Sequence, residues 1–113
     1  MPVTFVPHLV PIDRGILETI YARLNPGVDA DAIGAVLTSA YGDSPFVRLT
    51  GSDLPEIKHV AHTNFCDIGW RVDHAGGQLV MVACIDNLVK GAAGQAIQNF
   101  NVAFGLDETL GLQ

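Results

Sequence analysis

"VAHTNFCDIGWRVDHAGGQLVMVACID", residues 60 to 86, decides the fold. From Val60 to Val72 the side chains alternate, which puts His62, Asn64, Cys66, Ile68, Trp70 and Val72 on one face of a strand. "DHAGG", residues 73 to 77, carries the residues that reverse a chain, and Gln78 to Ile85 follows as an apolar strand. The two arms predict an antiparallel hairpin. The second arm has no polar side to offer water, so it belongs at the centre of a sheet, covered on both faces.

Asp86 closes that strand and supplies the N-cap of a last helix. The helix carries an apolar stripe of Val89, Ala93, Ile97, Phe100 and Phe104, and Gly105 ends it. Upstream, Val3 to Val10 reads as an extended strand, because Pro2, Pro7 and Pro11 exclude a helix. Between Arg14 and Leu24, Ile16, Thr19, Ile20 and Tyr21 favour a strand, while Glu18, Ala22 and Arg23 leave a helix open. After a break at Asn25-Pro26-Gly27, residues 28 to 42 read as a helix. Asp29 is its cap, Val28 staples onto Ile33, and Ile33, Val36, Leu37 and Tyr41 form its apolar face before Gly42 stops it. Ser44 to Thr50 is a short strand, and Asp53 to Glu56 a polar turn. The order β-β-α-β-β-β-α predicts one α+β domain over residues 1–113, a mostly antiparallel mixed sheet with helices packed on one face.

At 113 residues the chain has room for one such domain. Apolar residues make up 49%, the mean hydropathy is +0.32 and 16% are charged, which excludes disorder. So apolar a small domain is expected to share surface with another subunit or another domain. The net charge of −6 and six scattered Lys and Arg exclude a nucleic-acid surface. The longest apolar run, Leu79 to Ile85, is strand-sized, so no membrane span is expected. No secretory signal precedes Cys66 and Cys84, so reduced, buried thiols and a cytoplasmic protein are expected.

Some motifs fail on spacing. "GAAGQA", residues 91 to 96, lacks the G-x-G-x-x-G spacing of a dinucleotide fingerprint, and no acidic ribose partner follows it. Along a strand, His62 and Cys66 would stand about 13 Å apart, beyond the reach of a base and its nucleophile. Histidine and cysteine spacings match no zinc site, so no metal is expected. His8 is more suggestive, an imidazole between Pro7 and Pro11 in a rigid segment, either functional or a satisfied strand-end residue. Arg14, beside Gly15, is either an anion ligand or a solvated strand-end charge.

Three stretches together say more: "PHLVPIDRGILETIY" (7–21), "HTNFCDIG" (62–69) and "IDNLVKGAAGQAIQNFNVAFGLDETLGL" (85–112). In order and spacing they resemble blocks of the N-acetyl-gamma-glutamyl-phosphate reductase family, NADPH-dependent semialdehyde dehydrogenases of arginine biosynthesis. The resemblance covers essentially the whole chain and implies the C-terminal substrate-binding and dimerisation domain. Family chemistry takes the acyl group of an acyl-phosphate substrate onto a cysteine as a thioester, which hydride from NADPH then reduces. The resemblance implies that His8 is the acid/base histidine, since imidazole both accepts and returns a proton near neutral pH. It implies that Arg14 and Asn64 line the substrate pocket and that Asn87 and Gly91 meet the cofactor.

In the family the last helix packs against the enzyme's own nucleotide-binding domain. Gly91, Ala92 and Gly94 would allow close approach there, and Gln95, Gln98 and Asn99 would hydrogen-bond across the boundary. This chain holds neither that Rossmann domain nor the nucleophile block, and Cys66 belongs to another block. Alone it is therefore expected to be inactive, and to form a homo-oligomer. His62 stands where the family pattern expects a small residue. Two other readings remain open: the reductase of the one-carbon-longer aminoadipyl phosphate in lysine biosynthesis, and a non-catalytic dimerising module.

Overall fold

The chain runs β1 (Ile16–Arg23), α1 (Ala30–Tyr41), β2 (Val47–Gly51), α2 (Ile57–Val60), β3 (Cys66–Asp73) and β4 (Gln78–Ile85). A π-helical segment (Val89–Ala93) then leads into α3 (Gly94–Ala103). The computed structural model describes residues 2–113 except His74 and Gly76. Four strands form one sheet in the order β1-β4-β3-β2. β4 pairs antiparallel with β1 and with β3, while β2 runs parallel to β3. The α+β class and the mixed, mostly antiparallel sheet agree with the sequence pattern, and β4 takes the central place its apolar run requires. His74 and Gly76, in the expected hairpin turn, lie outside the described residues.

Each face of the sheet is closed by a different device. On one, the Trp70 ring fills the space left by the missing side chain of Gly34, and its indole Nε1 donates to the Ala30 carbonyl at 3.2 Å. That contact seats α1, whose first turn is capped by Asp29 accepting from the Ala32 N–H at 2.9 Å. The neighbouring residue, Gly69, points to the opposite face. A Cβ there would lie 2.8 Å from Thr50 Oγ1 and 2.9 Å from Pro55, so glycine lets residues 53–55 settle on the sheet. Phe46, Val60, Leu79, Val82 and Cys84 are the buried apolar centre. Arg48 and Asp67 tie β2 to β3 through a fork whose Nη2–Oδ2 arm is 2.8 Å.

The sequence pattern mispredicts three local features. Val3 to Val10 joins no strand and is exposed throughout; Pro7 lacks the N–H a ladder needs, and no described strand lies beside this segment. The alternation from Val60 does not begin a strand there. Ile57–Val60 is one helical turn anchored by buried Val60, and His62 at φ 66° breaks the extended path, so β3 starts at Cys66. His62 and Asn64 therefore leave the strand face. The helices do not share one face of the sheet either, because α1 and residues 53–60 lie on opposite sides and α3 packs chiefly on the π-helical segment. Gly42 does end α1 as the pattern predicts, in a right-handed conformation, φ −57°.

All eight residues of β1 are exposed, with Ile16, Leu17, Ile20 and Tyr21 among the large apolar ones. The stripe of α3 is open as well, Phe100 at 54% and Phe104 at 69% exposure. A compact monomer of 12.0 kDa would expose about 6,000 Å², and this chain exposes 7751 Å². Its radius of gyration, 15.5 Å, likewise exceeds the roughly 13 Å of a compact domain this long. Surface of this kind is made to be covered.

Candidate functional site

Where β4 ends, the chain must turn from sheet to helix, and Asp86 organises that turn. Its side chain is wholly buried. Oδ1 accepts from the Leu88 and Val89 N–H groups, both at 2.8 Å, as an N-cap does. Oδ2 accepts from the His62 N–H at 2.7 Å. Arg14 Nη1 reaches both oxygens, at 3.2 and 3.4 Å. Burial on its own would raise this acid's pKa. The N–H groups of His62, Val89 and Leu88 and the Arg14 guanidinium outweigh it and bring the pKa down to about 2. Asp86 is ionised at neutral pH, and three stretches of chain meet on it, at Arg14, at His62 and at residues 86–89.

Those segments deliver three of the residues singled out by the resemblance to one place. Arg14 is held on one nitrogen by Asp86, and its side chain remains 32% exposed. Asn87 Oδ1 accepts from the Gly15 N–H at 2.8 Å, which leaves its amide NH2 without a partner among the described residues. Gly15 needs its φ of +112°, and a side chain there would run into Ile57. Gly91 donates its N–H to the Asp86 carbonyl at 2.8 Å, one of the i→i+5 bonds of the π-helical segment, and is itself exposed. Such segments occur often at functional sites.

Asn64 is placed differently. It is fully buried, and its Nδ2 donates to Gln98 Oε1 at 3.0 Å. Gln98 also accepts from Lys90 Nζ at 2.6 Å and donates to Glu108 at 2.6 Å. Gly94 leaves the room that the Asn64 side-chain oxygen occupies. The joint thus uses Asn64 Nδ2, Gln98 and Gly94 within this chain, leaves Asn64 Oδ1 buried without a hydrogen-bond partner among the described residues, and pairs Gln95 with Asn99 along the helix at 2.8 Å. Within this chain Gln98 contributes to the seating of the helix.

His8 lies on the exposed proline segment, its Nδ1 3.1 Å from the Val6 carbonyl, and no hydrogen bond links it to Arg14, Asn64 or Asn87. Neither cysteine has the lowered pKa of an activated nucleophile. Burial pushes the Cys66 thiol up and the Cys84 thiol up to about 11. Because Cys66 stands opposite Ile85, and Asp67 opposite Cys84, the two thiols point to opposite faces of the sheet. Among the described residues no cluster of three or more His, Cys, Asp or Glu is arranged to hold a metal, and no helix is long and apolar enough to cross a membrane. A surface hollow of about 360 Å³ between Leu24, Pro26, Val28 and Val72 is at the other end of β4 from Asp86.

Asp86 was legible only as a cap. Its pairing with Arg14, 72 residues away, has no local signal. An acidic residue between a buried strand and a glycine-rich helix start is the one hint available.

The sequence matches the family described as semialdehyde dehydrogenase, dimerisation domain, over residues 1–87. The chain belongs to the semialdehyde dehydrogenase family. It is 53% identical over 112 residues to the N-acetyl-gamma-glutamyl-phosphate reductase of Desulforapulum autotrophicum, covering 98% of this chain and 32% of that protein. The reductase of Geobacter metallireducens is 53% identical over 113 residues, with 98% and 32% covered. That of Caldicellulosiruptor bescii is 50% identical over 109 residues, with 96% and 32% covered. The chain therefore spans about a third (32%) of the length of these curated relatives. Aspartate semialdehyde dehydrogenase II of Vibrio cholerae, solved in complex with ASA, shares the fold at a TM-score of 0.63. It is 22% identical, over 83% of this chain and 29% of that one.

Proposed function

We propose that this semialdehyde dehydrogenase domain is the substrate-binding and dimerising part of an N-acetyl-gamma-glutamyl-phosphate reductase. The full-length reductase is this chain together with the remainder that the curated relatives carry. The observation that carries the reading is identity of 53% across 98% of the chain to a relative bearing that name. In the full-length protein, a homo-oligomer in the cytoplasm, NADPH bound mainly by the nucleotide-binding domain supplies hydride to the acyl group.

This chain's residues bind, orient and move protons. The free arms of the Arg14 fork suit a carboxylate or a phosphate. Asp86 restrains that fork on one side, so it meets substrate already oriented. The free NH2 of Asn87 and the exposed backbone at Gly91 fit the edge of a nicotinamide, which an amide donor can orient. Exposed Leu88, Ile97 and Phe100 beside them offer apolar surface to the nucleotide-binding domain. His8, on its exposed segment, takes the proton of the attacking thiol contributed by the remainder and later returns one. Asn64 supports the pocket from beneath, through Gln98 and the start of α3.

The test is NADPH oxidation by the full-length reductase with each of two acyl phosphates. The expected result is a kcat/KM for N-acetylglutamyl phosphate at least about 10-fold above that for the aminoadipyl analogue, since one methylene in a pocket is worth that much. Oxidation with neither substrate would overturn the reading.

A further inference from the structure

His62 is the only non-glycine residue with a positive φ, 66°, among the described residues. A side chain at that angle costs about 1–2 kcal/mol, a cost glycine would avoid. The turn does not need the ring. Its shape is held by Thr63 Oγ1 donating to the Val60 carbonyl at 2.8 Å, by Phe65 N–H on Thr63 Oγ1 at 3.2 Å, and by the His62 N–H on Asp86. The imidazole is exposed and has no hydrogen-bond partner among the described residues. Strain without a structural return points to a ligand.

What lies beside it gives the ligand's chemistry. The His62 backbone nitrogen and Arg14 Nη1 donate to the same Asp86 oxygen, so they stand at most about 6 Å apart. Asp86 is fully buried and ionised, so it cancels the charge of Arg14. Arg14 alone offers directed donors without net positive charge. An anion bound there would gain from a further donor beside the pair, and His62 is the residue whose backbone nitrogen shares an Asp86 oxygen with Arg14.

We propose that His62 is a specificity-determining residue that joins Arg14 in binding the anionic end of the substrate, a carboxylate or a phosphate. This deepens the reading of Arg14 as a substrate ligand and rests on it. His62 adds a neutral or charged N–H donor that the family's expected small residue lacks. The turn holds its backbone within about 6 Å of the Arg14 fork.

Two variants separate binding from strain. His62→Gly removes both the strain and the donor, whereas His62→Asn keeps a donor in a residue that tolerates this conformation. In the full-length reductase, His62→Gly should raise the melting temperature and yet raise KM for the acyl phosphate about 5-fold or more, with little change in kcat. His62→Asn should restore most of the KM. A second readout needs no turnover: NMR titration of the full chain with inorganic phosphate and, separately, with acetate. Weakening of the phosphate or the acetate isotherm by His62→Gly identifies the anionic group and supports the proposal. Were the acyl phosphate not turned over at all, a weakened isotherm would still uphold the anion site while the reductase reading failed. A stabilised His62→Gly protein with unchanged KM and unchanged isotherms would overturn it, leaving His62 a tolerated turn residue.

Discussion

Asp86→Asn is the change to which this structure is most sensitive. The amide oxygen of asparagine can still accept from Leu88 and Val89, but the NH2 that replaces Oδ2 faces the His62 N–H and the Arg14 guanidinium. Two donors are then aimed at a third. A buried N–H left unmade costs about 1–3 kcal/mol, and losing a charge-assisted bond about as much, so roughly 3 kcal/mol in total is expected. A domain of this length has about 6–17 kcal/mol to lose. Urea titration of the chain, followed by fluorescence of its one tryptophan, Trp70, reads the loss directly. With a slope of about 1.5 kcal/mol per molar, the midpoint should fall by about 2 M. Acid gives a companion signature. The Asp86 pKa is lowered from 3.8 to about 2, so its stabilisation is complete above about pH 4 and is lost as pH falls through 2. The variant should lack that acid limb. A midpoint within about 0.3 M of wild type would refute the idea that this carboxylate joins the three stretches.

Three further changes test neighbouring parts. In the full-length reductase, His8→Asn should lower kcat by roughly 10²- to 10⁴-fold with an unchanged melting curve, read by NADPH oxidation. Asn87→Asp keeps the acceptor for the Gly15 N–H but replaces the free NH2 with an oxygen. It should slow hydride transfer at least about 10-fold while thioester formation, followed by rapid quench, stays near normal. Gly94→Ala drives a methyl into Asn64 and to 2.8 Å from the Val89 carbonyl, which should cost about 1–3 kcal/mol in the same urea titration.

How much of this was legible follows from how local each signal is. The Gln78–Ile85 strand could be read because seven apolar residues in a row have few alternatives, and the Asp29 cap because its bond to Ala32 spans three residues. Val60 to Val72 misled because apolar alternation says nothing about φ, and His62 breaks the strand by a backbone angle alone. The contacts of Gln98 with Lys90, Asn64 and Glu108 had no local signal, because only the folded chain supplies those partners. Arg14 could be singled out as a candidate anion ligand, whereas Asp86 as its partner could not. The two meet only because β1 and β4 pair along their full length.

The central claim is that these residues serve as one part of a two-part reductase site. It is tested most directly by grafting the 113 residues in place of the matching segment of the Geobacter metallireducens reductase and measuring NADPH oxidation with N-acetylglutamyl phosphate. The account predicts turnover by the graft and none by the chain alone. A folded graft without turnover, or turnover by the isolated chain, would contradict it.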